Sequence, residues 1–510
     1  MVLFYNPRAA DAHRRLPLSL LALAAGVEGR VPWSLVDGNL EPDPLARLET
    51  AISAHPAPRL LAVTVMPGRQ LEIATAHCRR IKARHPGLTI VWGGYFPSDH
   101  AEVCLRAPFV DYVVRGNGEA TLPELLELLE GGRRREAIDG LSWRAEDGTF
   151  RHNQPRAIPD PNLLPRYPYE RIETEAYVAR TYLGNRTLSH HSSYGCPFAC
   201  GFCSVVVTYQ TRWLAEEAGR TIDVVRHLHR QWGIDALEFH DNNFFVSEAR
   251  TRAIADGIAP LGISWWGEAR SDTLLRFSDR TWSAMRDSGL RMVFTGAESG
   301  SDEMLARMNK GGTQTGATIL EAARRFRAFD IVPEFSFVLG HPPDPEGDIR
   351  RNLEFIRRIK QINPRAEIIL YLYTPVPLPG MFDEAVAAGF RYPETLEEWV
   401  DGGWTRFSRR RDPRTPWITD RHRRLLDDFE TVLNARYPTA TDIRLTPLAR
   451  AACRMAGGLR WRFGLWGAPV ELRLMLRALR YRRPEEEGFP QSVSGPSPGR
   501  GGEEGDGAPS

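Results

Sequence analysis

The chain has 510 residues, 42% of them hydrophobic and 25% charged, which are ordinary globular proportions with room for about three domains. That composition excludes a wholly disordered chain, a collagen-like repeat and a small disulfide scaffold. The 66 basic and 64 acidic residues leave a formal net charge of only +2, so no global field calls for a nucleic acid partner. Lys82, Lys310 and Lys360 are the only lysines. The remaining basic residues are arginine, a bias that GC-rich coding explains.

Residues 1 to about 130 alternate short apolar runs with helical patterns. Strands are expected at 2–5, 33–36, 60–64, 89–92 and 110–113, and helices at 16–25, 44–53, 71–85, 98–106 and 121–130. This alternation gives an α/β domain built on an open, doubly wound, flavodoxin-like sheet. The run at 16–25 follows Arg14-Arg15 and imitates a secretory leader, yet a strand pattern precedes it, and it reads as the first helix. Ligands of such sheets sit at the carboxyl ends of the strands. Thr64, Gly93-Gly94 and the stretch Arg115-Gly116-Asn117-Gly118-Glu119 stand there. Glycine lets a ligand approach the backbone closely, although plain turn glycines give the same pattern.

From 131 to 185 the pattern weakens to a hairpin (140–144 with 149–152) and a proline-rich connector. A second series of six βα units then runs over 186–400, with strands at 187–192, 236–240, 264–267, 292–295, 334–338 and 367–371. Six units predict a partial (β/α)6 barrel, with its active site on the loops after the strands. Residues 401–485 form a helical region, and the segment 451–483 holds eight Arg against one Glu. Its mixture of Arg with Leu, Trp, Phe and Tyr suits either a peripheral contact with an anionic membrane or a helix packed on the barrel. The Gly-, Pro- and Ser-rich tail 486–510 is expected to be disordered. No uninterrupted apolar run reaches the roughly 18 residues of a membrane span.

The chemically informative segment follows the first barrel strand. Ser193-Tyr194-Gly195-Cys196-Pro197-Phe198-Ala199-Cys200-Gly201-Phe202-Cys203 supplies three thiols at C-x-x-x-C-x-x-C spacing. Three thiolates can hold a 4Fe-4S cluster and leave its fourth iron open. A zinc site normally closes with a fourth ligand, for which His190 or His191 would have to serve. Cys78 and Cys104 are isolated and read as core residues. Unbridged thiols point to a reducing, cytoplasmic compartment.

The cysteine motif, with an aromatic residue before its last cysteine, resembles that of radical S-adenosylmethionine enzymes. Downstream segments resemble the cobalamin-dependent subgroup: Phe294-Thr295-Gly296-Ala297-Glu298-Ser299-Gly300-Ser301 with Met308-Asn309-Lys310-Gly311, then Phe337-Val338-Leu339-Gly340-His341-Pro342, then Tyr373-Thr374-Pro375-Val376-Pro377-Leu378-Pro379-Gly380-Met381. The overall layout is similar to the anaerobic magnesium-protoporphyrin monomethyl ester cyclase group. The resemblance implies that Cys196, Cys200 and Cys203 ligate the cluster. It implies that Asp241, Asn242, Arg270, Glu298 and Ser299 contact S-adenosylmethionine. Thr64, Gly93, Gly94, Gly116, Gly118 and Glu119 would line the cobalamin site. The Asp-x-His-x-x-Gly motif is absent, and Asp99-His100 has the wrong spacing, so cobalt is expected without a histidine ligand.

The implied activity is reductive cleavage of S-adenosylmethionine to a 5′-deoxyadenosyl radical, used to methylate an unactivated carbon or phosphorus centre of a small molecule. An external one-electron reductant is required. Ring closure without methyl transfer is the enzymatic alternative, and a non-catalytic cobalamin sensor is the alternative from another class. Methylthiolation fits less well, because that family carries a further amino-terminal cysteine trio. No residue is singled out as carrying the substrate chemistry. Trp265, Trp266, Trp399 and Trp404 would suit either an apolar pocket or the core.

Overall fold

Near-continuous apolar runs suit strands buried on both faces, and the first sheet forms on such runs. The structure, a computed structural model, describes residues 1–9, 14–54, 60–310, 312–406, 410, 414–439, 445–479 and 481. Strands β1 (Val2–Asn6), β2 (Trp33–Asp37), β3 (Leu60–Thr64), β4 (Thr89–Gly93) and β5 (Tyr112–Val114) pair in parallel in the order β2-β1-β3-β4-β5. That is the flavodoxin-like order. Helices fill the crossovers. Pro44–Ser53, for example, starts on a proline, with Asp43 accepting from the Ala46 amide, a cap that satisfies one orphan donor.

Two expectations change here. The helix expected at 98–106 is two short helices, Tyr95–Asp99 and Ala101–Arg106. His100 leaves helical geometry between them and packs its ring on Phe96, Tyr392 and Trp399. The hairpin expected within the connector, β6 (Leu141–Arg144) and β7 (Phe150–His152), pairs antiparallel with β5 and extends the first sheet to seven strands. Without it β5 would present an open edge.

The second sheet holds β8 (Thr187–His190), β11 (Ala236–Phe239), β12 (Ser264–Ala269), β13 (Leu290–Glu298), β14 (Val332–Leu339) and β15 (Glu367–Leu372). They are parallel throughout, in the order β8-β11-β12-β13-β14-β15. This is the expected six-unit partial barrel. A separate antiparallel pair, β9 (Ser193–Gly195) and β10 (Trp213–Ala215), lies between the first two barrel strands in sequence. The cores of the two halves merge: Leu3, Trp92, Cys78 and Cys104 share one cluster with Met308, Tyr373 and Trp399. Trp265 is likewise buried, packed on Phe239, Phe244 and Phe245.

After the barrel come the helices Asp420–Arg436, Pro447–Phe463 and Val470–Ala478. Among the described residues no helix is long and apolar enough to cross a membrane. The tail 486–510 lies outside the described residues.

A buried charge network fixes the first barrel unit. Glu216 places one oxygen 3.3 Å from His190 Nε2 and the other 3.0 Å from Arg220 Nε. Arg250 donates to the Glu216 carbonyl at 2.7 Å and to the Ser192 hydroxyl at 2.8 Å. Burial alone would raise the Glu216 carboxyl, but His190 and Arg220 overcome it and hold it at about 2. Its folded value lies below the ordinary 4.5, so this contribution is complete above that pH and is lost as pH falls towards 2. The Glu216→Gln chain should unfold more easily at pH 7 by about 3 kcal/mol. In denaturant titrations the gap should close below pH 4. An equal gap at all pH values would contradict the pairing.

Candidate active site at the facing sheet edges

The cysteine loop begins with a tether. Asp241, at the end of β11 and wholly buried, accepts from the Ser192 amide at 3.2 Å, the Ser192 hydroxyl at 2.9 Å and the Ser193 hydroxyl. These bonds fix the chain as it leaves β8. The β9–β10 pair then closes the loop, with Gly195 opposite Trp213. Gly195 has φ +75, and a Cβ there would stand 2.2 Å from the Arg212 carbonyl oxygen. No other residue fits that approach.

Between these strands the three cysteines are held from below. Asn309 donates to the Ala199 carbonyl at 2.8 Å, and the Gly201 amide donates to the Met308 carbonyl at 3.0 Å. Asn243 Nδ2 lies 3.5 Å from Cys196 Sγ, and Arg270 Nη1 lies 3.4 Å from Cys200 Sγ. The Arg270 fork grips Asp272 through two 3.0 Å bonds and covers the Phe198 ring at 3.9 Å. Burial pushes the Cys200 thiol up, and the Cys203 thiol up to about 12. Such thiols become ligands when a metal displaces their protons. Among the described residues no three His, Cys, Asp or Glu side chains converge on one ion.

Glu298 ends β13 after an irregularity in its pairing with β14 and takes φ +63, rare for a non-glycine residue. A bulge of this kind re-aims a side chain. The Glu298 carboxylate folds back over Gly296, where a Cβ would stand 1.9 Å from its Oε1. It meets Lys310 Nζ at 3.1 Å, and both groups are buried. Ser299, also buried, accepts from the Ser301 amide at 3.1 Å and so shapes the turn.

The expected cobalamin residues gather at the carboxyl edge of the first sheet. Thr64 and Gly93 end adjacent, hydrogen-bonded strands. Gly94 has φ +102, and a Cβ there would press on Val65 at 3.0 Å. The Gly116 amide donates to the Ser98 hydroxyl at 3.0 Å. Gly118 and Glu119 lead into the helix Thr121–Leu129, and a Cβ at Gly118 would meet Leu23 at 2.7 Å. Glu119 is buried, which raises its carboxyl against hydrogen bonds from Asn117 and from Tyr194 of the second domain.

The two edges therefore face each other. Asn242, after β11, donates to the Tyr95 hydroxyl, which follows β4, at 3.0 Å. Asp99 Oδ1, Glu119 Oε2, Thr208 Oγ1, Asn242 Oδ1 and Asn243 Oδ1 are buried without a hydrogen-bond partner. Unpaired buried acceptors are costly, and groups rich in N–H donors would satisfy them. The amides of a corrinoid and the amino group of S-adenosylmethionine are such groups, so the residues fit both.

Tyr95, Asn243, Lys310 and Gln314 are functional candidates beyond those singled out from sequence, as are Asp99 and Glu268. Burial holds the Asp99 and Glu268 carboxyls up at about 7. Of these, Lys310 carried a signal, through the segment Met308-Asn309-Lys310-Gly311. Lys310→Met should cost about 3 kcal/mol of stability by leaving Glu298 charged and unpaired. Adding Glu298→Gln should recover much of that loss in the denaturant midpoint. Additive losses would show that the pair is not coupled.

Comparison with known proteins agrees with this geometry. Residues 12–126 match the B12 binding domain family and residues 191–356 match the radical SAM superfamily. An uncharacterized methyltransferase of Pyrococcus horikoshii is 28% identical over 375 residues, 73% of this chain and 78% of that protein. The anaerobic magnesium-protoporphyrin IX monomethyl ester cyclase of Synechocystis sp. is 25% identical over 356 residues, 68% of each chain. Among solved structures, the radical S-adenosylmethionine methyltransferase TsrM from Kitasatospora setae, with tryptophan and a S-adenosylmethionine analogue bound, superposes with a TM-score of 0.63. That match has 18% identity and covers 94% of this chain and 99% of that one. The chain thus carries a B12-binding domain followed by a radical S-adenosylmethionine domain.

Proposed function

We propose that this enzyme transfers a methyl group to an unactivated carbon of a small-molecule substrate. The observation that carries the reading is the seam itself: Asn242 and Tyr95 join the cluster side of the barrel to the cobalamin edge of the sheet. When bound, the cluster, S-adenosylmethionine and cobalamin would supply one electron, a 5′-deoxyadenosyl radical and a methyl donor. A methylase needs radical and methyl donor close together, and the facing edges support that reading.

In this reading Cys196, Cys200 and Cys203 hold the cluster while Arg270 and Asn243 orient the sulfurs. Asp241 is committed to Ser192 and Ser193, so its part is to fix the loop. The free side-chain oxygens of Asn242 and Asn243 are then the acceptors for the methionine amino group. The Arg270 fork is likewise occupied by Asp272 and Lys310 by Glu298, so a carboxylate bound nearby would share one of these two cations. Glu298 and Ser299 bound the ribose side. On the opposite wall, Thr64, Gly93, Gly94, Gly116, Gly118 and Glu119 hold the corrinoid.

The barrel interior would take the substrate. Trp266, whose indole donates to Glu334 at 2.6 Å, and His240, 5.5 Å away ring to ring, wall it. An external one-electron donor would reach the cluster in a reducing cytoplasm. The six cysteines, all unbridged, support that setting.

Ring closure without methyl transfer is the second reading, favoured by the likeness to the cyclase. Anaerobic turnover with S-adenosylmethionine, cobalamin and a chemical reductant separates them by product mass. Methyl transfer adds one methyl group to the substrate and yields both 5′-deoxyadenosine and S-adenosylhomocysteine. A product lighter by hydrogen, with no S-adenosylhomocysteine, would overturn the methylase reading. Cys196→Ala, Cys200→Ala or Cys203→Ala should lose bound iron and 5′-deoxyadenosine formation together. Cys78→Ala, Cys104→Ala and Cys453→Ala should keep both. Full iron in the Cys200→Ala protein would overturn the cluster assignment.

A further inference from the structure

The helix Pro447–Phe463 carries apolar side chains on two opposite faces. One face is packed, through Cys453, Gly457 and Trp461. A Cβ at Gly457 would stand 2.7 Å from the Arg436 backbone nitrogen on the helix Asp420–Arg436, so the two helices touch backbone to backbone. Trp461 packs on Phe429 and Tyr437, and Arg357 of the barrel helix Pro345–Ile362 donates to its carbonyl at 3.3 Å. The helix is thereby fixed to the barrel.

A helix that only closed a core would be polar on its other face. Here that face shows Leu448, Met455, Leu459 and Phe463, exposed by 82%, 75%, 70% and 65%. Their spacing of seven, four and four residues places them on one stripe. Leu465, and Val470 and Leu474 of the next helix, are exposed beside it in sequence. Seven of the ten exposed large apolar side chains among the described residues thus fall between 448 and 474.

The same segment is the most charge-asymmetric part of the described chain. Positions 447–479 hold six arginines and one acid, Glu471, and Glu471 is bound by Arg460. Among the described residues no ion pair engages Arg454 or Arg462, which lie on the same helix as the stripe. Arg462 instead extends over the Phe463 ring at 5.8 Å.

We propose that this face docks on a membrane surface rich in anionic phospholipid, the helix lying in the interface rather than crossing it. Apolar side chains beside arginine are what such a surface takes up. A second copy of the chain fits less well, because isologous pairing of this face would bring arginine against arginine. The inference does not depend on which reaction the barrel performs.

Co-sedimentation of the full chain with vesicles tests it. Phosphatidylglycerol–phosphatidylcholine vesicles should pellet the chain at low salt and release it as salt rises. Pure phosphatidylcholine vesicles should leave most of it in solution. The double variant Leu459→Asp/Phe463→Asp should lose binding by roughly tenfold or more, with S-adenosylmethionine cleavage unchanged as proof of folding. Arg454→Glu/Arg462→Glu should weaken binding to the anionic vesicles alone. Full-chain protein staying in the supernatant at low salt overturns the proposal, as does undiminished binding of the Asp variant. A dimer in light scattering that the Asp variant converts to monomer would assign the face to a second copy instead.

Discussion

The hydrogen bond from Asn242 to the Tyr95 hydroxyl joins the carboxyl edges of two parallel sheets, and the site exists because those edges meet. A parallel strand ends by releasing its chain into a loop, and ligands of parallel sheets gather there. Each domain alone would expose one such edge to water. Facing one another, the two edges meet at a seam where Asp99, Glu119, Thr208, Asn242 and Asn243 each have one buried side-chain oxygen without a partner. The shared core around Trp92, Met308 and Trp399 holds the seam closed. Polar groups left unpaired in a place so well packed are a cost, and the ligands of the proposed function give them partners.

Rigidity around the cysteine loop comes from charges buried in pairs. Asp241 grips Ser192 and Ser193, Arg250 reaches across to Ser192 and the Glu216 carbonyl, and Glu216 holds His190. On the other side Arg270 holds Asp272, and Lys310 holds Glu298. Pairs of this kind contribute little net stability, yet breaking one is expensive. They therefore fix the chain on either side of the cysteine loop. Some of the non-glycine residues with positive φ sit in the same place, Glu298 and Asn309 among them. Strain of this sort persists where surrounding contacts over-determine the conformation.

The lysines show how composition becomes legible only with coordinates. Lys82 bonds both oxygens of Asp111 and the Leu88 carbonyl, Lys310 bonds Glu298, and Lys360 bonds the carbonyls of Pro364 and Ala366. In a chain otherwise built on arginine, each retained ammonium is a compact donor turned inward. A guanidinium fork is broad and planar and does not replace a point charge at such contacts.

Hydrophobic periodicity, glycine placement and the C-x-x-x-C-x-x-C spacing pointed to the two α/β halves, the partial barrel and the cysteine loop. Those are local patterns, and adjacent residues set them. What lay beyond reach required long-range pairing. The hairpin 141–152 joins the first sheet because β5 needed an edge partner. Tyr95 meets a residue 147 positions away, and Lys310 meets Glu298 across the short helix Asp302–Arg307. The sequence likewise showed that the carboxyl-terminal helices are basic and amphipathic. Only packing decided that the Cys453–Gly457–Trp461 face is the one buried, because Gly457 alone lets the two backbones approach, and that choice leaves the Leu448–Phe463 stripe facing water.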